Sequence, residues 1–265
     1  TVENAGTRHG IRAAQLAAPM SLTIDNVISQ NNTRWGVAVS GPVTLAITDS
    51  VFSGNVDGGV GTYSGVAAAA VSGSDFSGQA GVQVNNNSGP GVTVNASENY
   101  FGTTSPASVT TSGKVDYTPM LTAAPTGTST DFDNLIVHTE GEQVGAGRIA
   151  EGQTLLNAGG TLQVRGGVYG EDVSVNDYTF SPGASPAINT VGSYTQLATG
   201  TTLLEIDGTT AGLEYDQIKV DVAAAGSGSG LVSLDGTLSI DFGYVPAPGD
   251  SWTLIDNDGS DLIAT

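Results

Sequence analysis

A repeat of about 24 residues in the first half of the chain is the strongest constraint on its fold. Four segments share a pattern in which an apolar residue is followed by small polar residues. The apolar positions, at spacings of 24, 24 and 25 residues, are Ile28, Phe52, Phe76 and Phe101. The amides that recur in the same register are Asn31, Asn55 and Gln79. Chance matches rarely keep several positions in one register, so we interpret the repeat as structural.

Each repeat also contains the alternating apolar residues that are typical of strands. The alternating pairs are Leu22 and Ile24, Leu45 and Ile47, Ala69 and Val71, and Val92 and Val94. A second set of short apolar segments begins at Gly10, Gly36, Gly59 and Gly81. An amphipathic helix would need apolar residues at a spacing of 3.6 and few glycines, whereas this chain has 38 glycines. We therefore predict short strands joined by turns.

A single repeat cannot bury its apolar face alone, so successive repeats must stack, with strands about 4.8 Å apart. The predicted fold is all-β, a parallel β-solenoid over residues 1–121. Stacking would turn Ile28, Phe52, Phe76 and Phe101 into an apolar column. It would likewise turn Asn31, Asn55 and Gln79 into a ladder of hydrogen-bonded amides.

The repeat ends with two distinctive elements, Asn99-Tyr100-Phe101-Gly102 and Val115-Asp116-Tyr117-Thr118-Pro119-Met120-Leu121. Together with the preceding repeats, they resemble the closing coils of right-handed parallel β-helix proteins. The resemblance implies a right-handed parallel β-helix. It says little about activity, because this family includes polysaccharide lyases, hydrolases, adhesins and purely structural proteins.

The remainder of the chain divides into a linker and a second β-rich region. Residues 122–130 have the Thr, Pro, Gly and Ser composition of a linker. Residues 131–265 are predicted to continue the β-helix or to form a β-sandwich, with one short helix or turn within Ile149–Ala158. The order of strand-like segments over about residues 186–262 resembles autotransporter-like and anchor-signal-bearing surface protein modules of bacteria. That resemblance implies a large secreted parent protein, and we expect the module to be incomplete at its C-terminus.

Composition excludes several classes of partner. The chain has 26 acidic and seven basic residues, a net charge of −19, whereas nucleic-acid binding needs clustered Lys and Arg. No apolar run is long enough to span a membrane as a helix. The absence of cysteine excludes disulfides and thiolate metal sites. With the resemblance, this composition predicts a protein that is secreted or lies at the bacterial cell surface.

Two groups of residues are candidate sites. Arg8-His9 and Arg34-Trp35 occupy equivalent positions in successive repeats, with Asp57 opposite Arg34 in the next. Stacked Arg, His and Trp beside Asp would form a carbohydrate-binding face; alternatively, Arg34 and Asp57 pair while Trp35 covers the edge of the repeat. The acidic loop with Asp256, Asp258 and Asp261 has the oxygen ligands that Ca²⁺ requires, although the same residues are typical of a solvated turn.

The sequence favours a non-catalytic extracellular structural or surface module, such as part of an adhesin, a surface layer or a self-assembling fibre. The alternative is a carbohydrate-binding or polysaccharide-degrading β-helix protein. Catalysis is not expected. Glycosidases need a pair of carboxylates, and no pair in this sequence is distinguished by its spacing. A lyase would need an Arg or Lys base, and Arg8, Arg12 and Arg34 form the one cluster of basic residues in the sequence. Expected partners are further copies of the chain, a larger parent protein or a polysaccharide. No cofactor is required, and Ca²⁺ is the candidate ion.

Overall fold

The protein is predominantly β-structure arranged in parallel sheets. The computed structural model describes residues 1–3, 8–14, 18–126, 132–145 and 147–257. The chain forms two compact units: the first contains residues 1–130 and 140–144, and the second residues 131–139 and 145–265. Within the predicted linker of residues 122–130, positions 127–130 lie outside the described residues.

The first unit is built from short strands in three parallel sheets. The strands are β1 (Val2–Glu3), β2 (Ile11–Ala13), β3 (Met20–Asp25), β4 (Ile28–Gln30), β5 (Trp35–Val39), β6 (Val43–Thr48), β7 (Val51–Ser53), β8 (Gly58–Thr62), β9 (Ala68–Ser72), β10 (Val82–Asn86), β11 (Val94–Asn95), β12 (Thr111–Ser112), β13 (Val115–Asp116) and β14 (Met120–Leu121). The three sheets have the orders β1-β4-β7, β2-β5-β8-β10-β12 and β3-β6-β9-β11-β13, and β14 belongs to none of them. From β1 to β9, consecutive strands visit the three sheets in turn, and we call one such passage a circuit. In later circuits the first sheet is continued by isolated bridges at Asp75 and Tyr100.

Equivalent residues of successive circuits lie side by side because the strand pairs are parallel and in register. Leu22 pairs with Leu45 and Ile24 with Ile47 between β3 and β6. The next circuit continues both rows, with Ala69 beside Leu45. Side chains alternate across a strand, so each row places its apolar members on one face. Ile24 and Ile47 are accordingly buried.

The predicted apolar column is present for its three aromatic members, but its first member is wrong. The Phe52 and Phe76 rings stack with centroids 4.9 Å apart, and those of Phe76 and Phe101 with centroids 5.5 Å apart. Phe52 pairs with Ser29 rather than with Ile28. Ser29 is completely buried while Ile28 is 40% exposed, because alternation along β4 turns Ile28 to the opposite face.

The predicted amide ladder exists with the same shift of one residue. Asn32 Nδ2 donates to Asn55 Oδ1 at 2.8 Å, and Asn55 Nδ2 donates to Gln79 Oε1 at 3.2 Å. All three side chains are buried. Asn31, the predicted member, is exposed and has a φ of 53°, the left-handed conformation of a tight turn. That turn sets the spacing between Asn32 and Asn55 at 23 residues rather than 24.

The second set of segments follows its predicted register over three circuits and then departs from it. Ile11 pairs with Val37, and Val37 with Val60. In the next circuit Val60 pairs with Val84 rather than Val82, so Gly81 is displaced by two residues from the predicted row.

The second unit also consists of parallel strands that recur in three sheets. Its elements are β15 (Phe132–Val137), α1 (Arg148–Leu155), β16 (Leu156–Val164), β17 (Gly167–Val168), β18 (Asp172–Val175), β19 (Thr179–Pro182), β20 (Ile188–Val191), β21 (Ser193–Gln196), β22 (Thr201–Ile206), β23 (Gln217–Val220), α2 (Val222–Ala225), β24 (Val232–Ser233), β25 (Thr237–Phe242) and β26 (Ile255–Asn257). Its sheets have the orders β15-β16-β19-β22-β25, β17-β20-β23-β26 and β18-β21-β24. The described strand pairs of this unit are parallel, as a further run of stacked repeats requires, whereas a β-sandwich pairs its strands antiparallel.

The short helix that the sequence predicts within Ile149–Ala158 is α1, which begins one residue earlier. Glu171 accepts hydrogen bonds from the backbone N–H groups of Arg148, Ile149 and Ala150 at 2.8, 3.2 and 2.9 Å. A carboxylate at a helix N-terminus satisfies donors that have no partner within the helix and interacts favourably with the helix dipole. Glu171 therefore caps α1 from the segment that immediately precedes β18.

Candidate functional site

The predicted carbohydrate-binding residues lie on neighbouring strands of the first unit. Continuing the register of β2 and β5 backwards places Arg8 beside Arg34 and His9 beside Trp35, in agreement with a hydrogen bond from Gly10 N to Trp35 O at 3.0 Å. The next circuit adds Asp57, whose Oδ2 lies 2.8 Å from Arg34 Nε. The structure therefore brings together all five residues that the sequence singled out.

Trp35 covers the neighbouring strand instead of presenting an open ring. Its side chain is 7% exposed. The ring lies against Gly58 and Gly61 of β8, and a Cβ at Gly61 would lie 3.0 Å from Trp35 Cδ2. Glycine at both positions leaves room for the indole. The ring also meets the edge of Tyr63 at a centroid distance of 6.4 Å and an interplanar angle of 82°.

The surface around these residues forms a shallow depression that we call the basic groove, defined by Arg8, His9, Arg12, Arg34 and Tyr63. One part has a volume of about 240 Å³ and is lined by all of these except Arg8. An adjoining part of about 270 Å³ is lined by the three arginines and His9. Both parts are open to solvent at the side chains of the arginines.

Small residues create the floor of the basic groove. The row that contains Arg12 continues as Ala38 in β5 and Gly61 in β8. Neither carries a side chain long enough to cover Arg12, which stays exposed. Tyr63, half-buried at the end of the same row of strands, forms a wall. Sequence reasoning missed Tyr63, although its place two residues after Gly61 puts it on the same face by strand alternation.

The charges of the basic groove are only partly compensated. Within the described part of the chain, Arg34 pairs with Asp57, and neither Arg8 nor Arg12 has an acidic partner. Three of the seven basic residues of the chain therefore meet in one small region of a protein whose net charge is −19. Guanidinium groups in such a setting bind carboxylate or phosphate oxygens through paired hydrogen bonds.

His9 lies in the groove as a neutral polar group. Burial lowers the pKa of His9, and the nearby charges of Arg34 and Arg12 lower it further, against a smaller opposing effect of Asp57. The imidazole is consequently uncharged at neutral pH. Its Nδ1 is buried and has no hydrogen-bond partner among the described residues. A buried nitrogen without a hydrogen-bond partner costs free energy in the folded state.

The predicted calcium ligands lie partly outside the described residues. Asp256 belongs to β26, where it pairs in register with Lys219 of β23. Asp258 and Asp261 are not among the described positions. In the ranges that the structure describes, no group of three or more His, Asp or Glu side chains is placed to hold a metal ion. The calcium site stays a prediction.

The buried acidic residue Asp216 of the second unit makes hydrogen bonds to the backbone. Asp216 is completely buried, and its carboxylate accepts hydrogen bonds from Ala187 N and Glu205 N, both at 2.8 Å. Burial raises the pKa of Asp216 to about 7, with smaller contributions from the charges of Glu205 and Asp207. The two hydrogen bonds link the side chain of Asp216 to the backbone at Ala187 and at Glu205.

Comparison of the chain with models of protein families, with curated proteins and with solved structures found no match. None of the helices in the described ranges has both the length and the apolar character needed to cross a membrane.

Proposed function

We propose that the protein is a right-handed parallel β-helix module of an extracellular bacterial surface protein, with a structural, non-catalytic role. The observation that carries the proposal is the repetition of in-register parallel circuits in both units. Parallel strands joined by crossover connections within a sheet are right-handed in about 98% of cases. The acidic, lysine-poor and cysteine-free composition supports secretion, since no thiol needs protection or oxidation outside the cell.

Repeated circuits suit a structural role because each interface resembles the next. The phenylalanine stack and the amide ladder bind each circuit to its neighbours by the same contacts. Stability then grows with the number of circuits, and further copies or further parts of a parent protein extend the stack at an open end.

One open end lies at β25. Within the described residues β25 pairs with β22 on one side only. Leu238 and Phe242 are 54% and 51% exposed, whereas Thr202 and Ile206, their partners in β22, are buried. Leu238 and Phe242 therefore extend a buried row of the sheet and form a surface on which another circuit would stack. The unpaired backbone groups of β25 would accept a further strand.

Electron microscopy and light scattering of the purified chain test this proposal, with calcium and then with chelator. Rods or filaments that lengthen with concentration are expected, and loss in chelator would assign calcium to the joints. Leu238→Lys should leave only single particles, because it places a charge in the stacking surface. Leu213→Lys, a matched control at a residue that is 78% exposed, should assemble like the wild type. A monodisperse monomer at high concentration under every condition would contradict self-assembly.

A second candidate function, carbohydrate binding, is favoured by the basic groove. Polysaccharide-binding sites combine aromatic surfaces with polar groups that hydrogen-bond to hydroxyls. The groove places Tyr63 in one depression with Arg12, Arg34 and His9, and Arg8 lines the adjoining depression. Hydrolysis of a glycosidic bond needs two carboxylates about 5–10 Å apart. The described lining residues of the groove include no carboxylate, and the adjacent Asp57 is held by Arg34. Binding without hydrolysis is therefore the activity that this geometry favours.

A further inference from the structure

We propose that the basic groove selects acidic polysaccharides, with Arg8 and Arg12 binding the carboxylates of uronic acid residues and Tyr63 packing against the sugar ring. This inference rests on the carbohydrate-binding candidate function and names its ligand class. It depends on four features of the groove: its free guanidiniums, its total charge, its neutral polar groups and its open shape.

The guanidinium groups of Arg8 and Arg12 provide the main attraction for the carboxylates of the ligand. Arg8 and Arg12 are exposed and have no acidic partner among the described residues. A planar carboxylate matches the paired donors of a guanidinium, and such charge-assisted hydrogen bonds are roughly twice as strong as neutral ones. The small side chains of Ala38 and Gly61 leave the approach to Arg12 open.

The total charge of the groove favours ligands of low charge density. The groove contains three arginines, and Asp57 compensates the charge of Arg34, so two positive charges remain uncompensated. The lowered pKa of His9 favours its uncharged form at neutral pH. The chain as a whole has a net charge of −19, so it repels a densely sulfated or phosphorylated polymer more strongly than a polymer of low charge density. At about 0.15 M salt the screening length is about 8 Å, which weakens distant repulsion more than contacts inside the groove.

The neutral polar groups and the shape favour a sugar over a small ion. The phenol of Tyr63, which lines the groove, is suited to the hydroxyl groups that a uronic acid carries beside its carboxylate. The ring of Tyr63 is fixed at its edge by Trp35, so binding loses little side-chain freedom. Two adjoining open depressions accommodate consecutive residues of a polymer rather than a single enclosed ligand.

Binding of polygalacturonate to the full chain tests the inference, measured by isothermal titration calorimetry at neutral pH and about 0.15 M salt. Arg12→Gln and Arg8→Gln should each weaken binding about tenfold or more, and Tyr63→Ala should weaken it by a similar factor. Lys114→Gln is the matched control, because it removes one exposed positive charge of the same unit outside the groove. It should change the affinity by less than about twofold. Unfolding by urea should be unchanged in the arginine variants, since both side chains are exposed.

Dextran, dextran sulfate and poly-glutamate distinguish the outcomes. Binding of polygalacturonate with weak or no binding of the other three supports the inference. Binding of dextran that is insensitive to Arg12→Gln would overturn the acidic-sugar inference while leaving carbohydrate binding intact. Tighter binding of dextran sulfate, unaffected by Tyr63→Ala, would overturn both in favour of a nonspecific anion surface. Equal binding of poly-glutamate would overturn both in favour of an acidic peptide partner, and no binding to any of the four would also overturn both.

Discussion

Replacing Asn55 by alanine tests whether the amide ladder is a main source of stability in the first unit. Asn55 is buried, and its side chain takes part in four hydrogen bonds: Asn32 N and Asn32 Nδ2 donate to its Oδ1, and its Nδ2 donates to Ser29 O and Gln79 Oε1. Alanine removes all four and leaves buried donors and acceptors in the circuits on both sides.

The expected cost follows from the groups left without partners. A buried donor or acceptor without a partner costs about 1–3 kcal/mol. The substitution removes four buried hydrogen bonds, and Asn32 Nδ2 retains a bond to Ser29 Oγ at 3.2 Å, which reduces its share of the cost. Asn55→Ala should therefore lower the free energy of unfolding by about 3–5 kcal/mol. That is a large part of the 5–15 kcal/mol typical of a domain.

Urea unfolding followed by tryptophan fluorescence provides the measurement. The chain has two tryptophans, Trp35 in the first unit and Trp252 in the second, so a Trp252→Phe background reports the first unit alone. With a slope of about 2–3 kcal/mol per molar urea, the midpoint should fall by about 1–2 M.

The control is the neighbouring asparagine that the repeat spacing had placed in the ladder. Asn31 is exposed and has a positive φ, which glycine adopts without strain, so Asn31→Gly should cost less than about 1 kcal/mol. A loss below about 1 kcal/mol for Asn55→Ala, or an equal loss for both variants, would refute the assignment of the ladder to Asn32, Asn55 and Gln79.

Three further predictions concern the core, the helix and the buried acid. Phe76→Ala removes the middle ring of the stack and should cost about 3–5 kcal/mol in urea unfolding, while Ile28→Ala, on the exposed face, should cost less than about 1 kcal/mol. Glu171→Gln weakens the cap of α1 and should lower the stability of the second unit by about 1–2 kcal/mol in a Trp35→Phe background; an unchanged midpoint would contradict the cap. Because the folded pKa of Asp216 is raised to about 7 from an unfolded value of about 4, its contribution to stability is present below about pH 4 and is lost as the pH rises to about 7. The loss is at most about 4 kcal/mol, and the difference between wild type and Asp216→Asn should show this slope; a pH-independent difference would contradict the raised pKa.

Much of the candidate site was visible in the sequence because a parallel stack converts sequence spacing directly into distance. Arg34 and Asp57 are 23 residues apart, one circuit, and their pairing follows from the repeat alone. Tyr63 was missed because its role depends on the shape of the surface. Only the packing of Trp35 over the glycines of β8 shows that the indole is buried and that Tyr63 is the accessible ring.

The sequence by itself determined the repeat, the strands and the parallel stacking, since apolar residues that recur with one spacing can be buried together only by stacking. It did not determine the register to the residue. Asn31 and Asn32 are adjacent and chemically identical, and spacing alone cannot distinguish them. Only the tertiary structure decided between them: the turn at Asn31 takes a left-handed conformation, and the strand that precedes it places Ser29 inward and Ile28 outward. A shift of one residue exchanges the two faces of a strand, so local turn geometry, rather than the repeat itself, selects the side chains that form the core.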